Sequence, residues 1–256
     1  MNSAKFALAV AVAVFASGCL GLILQRVLPE KHTTGPPRDM IGAVAGLLTL
    51  LCALVTGLLI WTAYGVYAGQ NTAIQGLAAK ALQLDLALAE YGPETKAERA
   101  NLREGVAKSI DQVWGANESD SNFTANNFKA AIQVMRGRQK ALDSLQPSTD
   151  EQKQALAAAK SIVDSLGQSR MQMSFALSAP VSYPTLLAVV AWVALLFCGF
   201  GLMSRGNVMS VVAMAVGALA VASAVLLILD LSNPYSGVFR ASPAPLEQVL
   251  AVMGKE

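Results

Sequence analysis

The chain has 256 residues, 54% of them hydrophobic and 14% charged, at a mean hydropathy of +0.47. That apolar content exceeds what a water-soluble domain of this length needs and reads as a membrane protein. A net charge of +2, with 12 basic and 12 acidic residues across 70–180, gives nucleic acid no basic footprint, and Cys19, Cys52 and Cys198 lie inside apolar runs without the spacing of a disulfide framework or a zinc site.

Four stretches run without charge for about the twenty residues that a bilayer core takes up: 6–25, 40–79 with its apolar part at 41–67, 184–204 and 206–229. The expected fold is an all-α polytopic membrane protein with four transmembrane helices in two hairpins and an inserted extramembrane helical bundle. Hairpin 1 covers 1–68, with spans at about 5–28 and 41–67; the helical domain covers 69–180; hairpin 2 covers 181–231, with spans at about 183–204 and 206–231; a turn and a short helix fill 232–256. The first run, "KFALAVAVAVFASGC", has the basic start and small-small-Cys ending of a lipoprotein signal. It continues past Cys19 as "LGLILQ", and Ala16 stands where such signals favour leucine, so an uncleaved span is expected.

Between the hairpins every periodic stretch is helical. A helix over 71–91 runs on from span 2. "TKAERANLREGVAKSIDQVW" opens with a T-x-x-E capping box at Thr95 and Glu98 and puts Leu102, Val106, Ile110, Val113 and Trp114 on one face. "NNFKAAIQVMRGRQKALDSL" repeats the pattern with Phe128, Ile132, Met135, Leu142 and Leu145. A second box at Ser148 and Glu151 opens a helix with Leu156, Ala159, Val163 and Leu166 inward.

No ionisable residue falls in the middle of a span, which argues against an ion-coupled carrier. Span 2 carries Gly42, Gly46, Thr49, Ala53, Thr56 and Gly57 at alternating steps of three and four. Such a stripe serves either close helix packing or the wall of a narrow, weakly polar pore. One histidine, His32, in an interfacial loop, cannot build a catalytic set, and no phosphate loop is present. No enzymatic activity, cofactor or metal is expected.

"LQLDLALAEYGPETKAERANLREGVAKSIDQVW", "LLFCGFGLMSRGNVMSVVA" and "LILDLSNPYSGVFRASPAPLEQVL", in this order, resemble the bestrophin-like membrane proteins, which are grouped as a domain of unknown function. The resemblance implies a remote relation to bestrophins, pentameric anion channels with cytosolic helical domains. It implies a homo-oligomer in the bilayer, a pentamer by analogy, with small anions as partners. "NPYSG" resembles the Asn-Pro-Phe-Gly that follows the last membrane helix of bestrophins. The acidic cluster that binds calcium there is replaced by "VFRASPAP", so calcium gating is not implied.

Within that C-terminal motif, Asp230, Asn233, Pro234, Tyr235, Ser236, Gly237 and Arg240 draw attention as a group. Pro234 lacks an N–H and pushes Asn233 out of the α region, so span 4 ends there. Ser242 caps a short helix with Pro243 in its first turn, and Leu246, Leu250 and Met253 form its apolar stripe. Asp230 sits at the negative end of a helix dipole. Arg240 is near enough to make a structural salt bridge with it; an ion site at a pore mouth is the alternative.

Two functions from different classes fit these features. One is an oligomeric anion channel in the plasma (inner) membrane, span 2 lining the pore, with termini and helical domain in the cytosol. The other is a membrane-anchored sensor or scaffold whose helical domain binds a ligand or partner.

Overall fold

The computed structural model describes residues 3–28, 35–115, 123–178, 183–204, 206–235 and 237–253, the side chains of 37, 123–131, 177 and 178 excepted. His32, Ser236 and the side chain of Phe128 therefore lie outside the described residues. Among the described residues eight α-helices follow one another: α1 (Ser3–Val27), α2 (Pro36–Tyr91), α3 (Lys96–Trp114), α4 (Phe123–Asp143), α5 (Asp150–Ser178), α6 (Tyr183–Met203), α7 (Val208–Leu231) and α8 (Ala244–Val252). A 3-10 turn, Pro93–Thr95, joins α2 to α3, and no strand occurs among the described residues. Helices α1, α2, α6 and α7 are long and apolar enough to cross a membrane. The protein is an all-α polytopic membrane protein.

The chain divides into two compact units, Met1–Gly65 with Val181–Asn233, and Val66–Pro180 with Pro234–Glu256. In the first, α1 packs on both α6 and α7. Lipid gives two apolar helices no hydrophobic reason to associate, so small residues that let backbones approach do this work. At the α1–α6 crossing a Cβ on Gly21 would run into the carbonyl oxygen of Cys198 and lie 3.0 Å from the Gly201 Cα. A Cβ on Gly201 would run into the carbonyl oxygen of Gly18 and lie 2.8 Å from the Leu22 nitrogen. Ser17 Oγ donates across the same seam to the Ala194 carbonyl at 2.6 Å. On the other side the Met214 side chain of α7 covers Gly18, and the Phe197 ring of α6 covers Gly217. Ala7, Val10, Ala11 and Val14, all ahead of Cys19, are buried in this packing. Arg38 Nη2 donates to the Met203 carbonyl at 3.3 Å, a cation on the last residue of α6.

The second unit has a continuous core. Ile74, Ala78, Ala81, Leu84 and Leu88 of α2 meet Leu102 and Val106 of α3, Leu142 of α4, and Leu156, Ala159, Val163 and Leu166 of α5. Leu246 and Met253 are buried in it, with Leu250 packed against it, so the α8 stripe belongs to this core.

Two helix starts differ from expectation. Thr95 makes no side-chain cap to α3; its hydroxyl, fully buried, points back to the carbonyls of Leu88 at 2.5 Å and Gly92 at 2.8 Å. It secures the turn at the end of α2, where Gly92 sits at φ +128°, instead of opening α3. At α5 the box is shifted by one residue: Thr149 Oγ1 accepts the Gln152 N–H at 3.1 Å, and Gln152 Oε1 accepts the N–H and hydroxyl of Ser148. Gln152 takes the role because its amide also donates to the Tyr91 carbonyl at 3.1 Å, which Glu151 could not do.

Candidate functional site

At about 100° per residue, the span portion of α2 has three faces. Ala45, Cys52, Leu59 and Ala63 make the buried one. About a quarter turn away runs the small stripe, with Gly46, Thr49, Ala53 and Gly57 exposed and Gly42 and Thr56 half-buried. Beyond it stand Leu47, Leu50, Leu54, Leu58 and Trp61, each more than half exposed. A Cβ on Gly46 or Gly57 would meet nothing within 4 Å, and one on Gly42 only the Met203 ε-methyl at 3.3 Å. Among the described residues Gly46 and Gly57 thus have no packing partner within this chain, unlike the glycines of α1 and α6, while Gly42 lies beside Met203. Thr49 Oγ1 donates to the Ala45 carbonyl at 2.7 Å, which satisfies its proton and turns a weakly polar oxygen outward.

The C-terminal motif is built from side chains that close backbone groups. At the end of α7, Ser232 Oγ donates at 2.5 Å to the Ile228 carbonyl, which also accepts the Ser232 N–H at 3.1 Å, and Asn233 Nδ2 donates at 2.9 Å to the Leu229 carbonyl, one of the acceptors near a helix end that side chains can close. Asp230 is buried, 3% exposed. The helical unit's share begins at Pro234, whose carbonyl accepts the Ala241 N–H at 2.8 Å and closes a loop. Gly237 inside that loop has φ +89°, a region other residues avoid. Tyr235 donates its hydroxyl to Gln70 Oε1 at 2.8 Å, and Gln70, 2% exposed, donates to the Met173 carbonyl at 3.3 Å. The Tyr235 ring meets Trp114 edge-on at 6.1 Å, and Trp114 Nε1 donates to the Ala241 carbonyl at 2.7 Å. Burial pushes the Tyr235 phenol above its ordinary range. Arg240 is exposed, and its Nε donates to the Tyr235 carbonyl at 3.2 Å; the ion pairs among the described residues do not include it.

Among the described residues one ion pair is largely withdrawn from water. Arg99 holds Asp85 through two bonds, Nε to Oδ1 at 2.9 Å and Nη2 to Oδ2 at 3.0 Å. This bidentate geometry is the strong form of the pair. Neither residue stood out beforehand, although Asp85 occupies an inward position of the series Ile74, Ala78, Ala81, Leu88, where a carboxylate announces a buried partner. Trp114 was read only as core, and Gln70 was missed. Among the described residues no group of three or more His, Cys, Asp or Glu could hold a metal ion. The three cysteines are free thiols.

Four apolar helices, a helical unit whose core takes in the residues after the last span, and a Pro-Tyr-Ser-Gly turn at that junction define a class of polytopic membrane protein. The family model described as the bestrophin-like domain matches residues 10–246, so the chain belongs to the bestrophin-like family. No curated protein and no solved structure matches it.

Proposed function

We propose that the protein is the subunit of an oligomeric ion channel, with anions as the conducted species and the small-residue stripe of α2 on the conduction path. The observation that carries this reading is the bare stripe itself. A helix with large aliphatic side chains on one exposed face and glycine, alanine and threonine on the next has two different surroundings outside its own chain. Lipid suits the first, while further copies of α2 around a narrow lumen suit the second. Family membership supports the same assembly. The channel sits in the plasma (inner) membrane with its termini and helical unit in the cytosol.

Reconstituted protein should conduct chloride, and Thr49→Asp should suppress that current by setting a carboxylate on the path. A preparation that stays silent under varied voltage, pH and tension overturns the proposal. For sidedness, a cysteine at position 119 in a background without native cysteines should react with an impermeant thiol reagent only after cells are lysed. A second reading, a sensor whose helical unit binds a ligand, is favoured by a cavity of about 220 Å³ between α4 and α5.

A further inference from the structure

The cavity between α4 and α5 belongs to the helical unit, and no residue of the α2 stripe or of the C-terminal motif lines it. Arg136 and Gln139 of α4 and Arg170 and Ser174 of α5 line it, together with Ile132, Met135 and Met171. At its edge the Met135 side chain lies directly over Gly167 of α5, where a Cβ would collide with the Met135 ε-methyl. We propose that this cavity binds an organic anion, whose charged end is held by Arg136 and Arg170 and whose apolar body rests on Ile132, Met135 and Met171.

Charge balance is the first argument. A guanidinium withdrawn from water is costly unless an anion faces it; Arg170 and the neighbouring Arg138 are half-buried, Arg136 stands exposed at the cavity's rim, and the ion pairs among the described residues include none of the three. Asp164, on α5, is engaged by Gln139 Nε2 at 2.7 Å. Arg138 enters the same part of the unit from α4, with its Nη2 resting over Gly105 of α3, where a Cβ would lie 2.9 Å away. Burial and the charge of Arg170 push Arg138 down to about 10, against the pull of Glu98, and burial pushes Arg170 down as well. Of the two half-buried guanidinium groups, Arg138 has Glu98 near it, while Arg170 lines the cavity beside Arg136. Lining chemistry is the second argument. A site for an inorganic anion needs donors on every side, whereas here aliphatic and thioether groups occupy part of the wall, and flexible methionines adapt to an apolar body.

The same chemistry is offered by a free aryl or alkyl carboxylate and by the headgroup region of an anionic lipid, so the test separates them. Full-length protein in phosphatidylcholine nanodiscs is titrated with para-fluorobenzoate and followed by fluorine NMR. Saturable binding is expected, with affinity lowered at least tenfold in Arg170→Gln and in Arg136→Gln, while para-fluorobenzyl alcohol and inorganic phosphate bind at least tenfold more weakly. Gly167→Leu, which pushes the flexible Met135 side chain into the cavity and keeps both arginines, should abolish binding while the circular dichroism spectrum stays that of the wild type. It keeps the test decisive if an arginine variant does not fold. Displacement of the probe when phosphatidylglycerol is added to the discs assigns the anion to the lipid, and undiminished binding assigns it to a soluble carboxylate. Unsaturable binding, equal affinity for the alcohol, or Gly167→Leu that binds like the wild type overturns the proposal. No current is measured, so this outcome is independent of the channel reading.

Discussion

Gly21→Ala is the sharpest test of how the membrane helices are held. A methyl at this position would point into the backbone of α6, against the Cys198 carbonyl oxygen, 2.9 Å from its carbon and 3.0 Å from the Gly201 Cα. Ordinary contact begins at 3.4 Å, and backbone cannot rotate aside as a side chain can. The two helices must part by more than an ångström, which loosens the Gly18, Gly21, Gly201 seam and stretches the 2.6 Å bond from Ser17 to Ala194. Overpacking of this kind costs about 1–3 kcal/mol. Alanine returns about 1 kcal/mol of helix propensity, which leaves a net loss of about 0–2 kcal/mol relative to the wild type and the full cost of about 1–3 kcal/mol relative to an alanine that meets no obstacle. Gly46→Ala and Gly57→Ala supply the control: no atom waits within 4 Å, so propensity acts alone and the subunit fold is unchanged or slightly firmer. Unfolding of the purified protein in mixed micelles with rising sodium dodecyl sulfate measures all three variants. Adding Gly201→Ala to Gly21→Ala should cost less than the sum of the two, because the gap is opened once. Should Gly21→Ala unfold at the midpoint of Gly46→Ala and Gly57→Ala, the backbone contact between α1 and α6 does not exist.

Tyr235→Phe should destabilise the helical unit by about 1–3 kcal/mol, the cost of leaving the buried Gln70 oxygen without its donor. Because burial raises the Tyr235 phenol, the folded state prefers the protonated form; its stability is intact below the ordinary tyrosine value of about 10 and falls as pH rises past it. Ultraviolet absorbance in alkali should therefore show one tyrosinate forming only as the protein unfolds, and Tyr235→Phe should remove that signal. Arg99→Met should cost about 3–5 kcal/mol in thermal or denaturant unfolding because it strands the Asp85 carboxylate among apolar side chains, and Asp85→Asn combined with it should recover most of the loss; additive losses would dismiss the pair.

The membrane helices were legible because their signal is local. About twenty uncharged residues identify a span wherever they occur, and the spacing of Leu102 and Val106, or of Leu156, Ala159 and Val163, names an inward face without reference to its partner. What escaped is what depends on contacts between distant segments. A nearer case is Thr95, which with Glu98 has the spacing of a capping box, yet its hydroxyl turns to the carbonyls of Leu88 and Gly92, seven and three positions back, a choice set by the turn at the end of α2 and not by the box pattern. The box expected at Ser148 moved by one residue because Gln152 also had the Tyr91 carbonyl to reach, 61 positions back.

The C-terminal string shows the same boundary at finer scale. That Pro234 stops a helix follows from its own covalent structure, and that Gly237 marks a turn follows from its missing Cβ. Why an aromatic residue stands between them does not follow locally, because its partner Gln70 is 165 positions away. The available clue was on the other side: Gln70 precedes Ile74, Leu77 and Ala81 at helical spacing, which makes it a polar residue at the head of an apolar face. A buried amide in such a place must be satisfied by something. Its two functional ends are satisfied by the Tyr235 hydroxyl and the Met173 carbonyl, so one amide joins α2, α5 and the C-terminal loop. The tyrosine of the Pro-Tyr-Ser-Gly turn is thus an anchor within the helical unit, and the motif's chemistry is directed at the core of that unit as much as at the end of the last span.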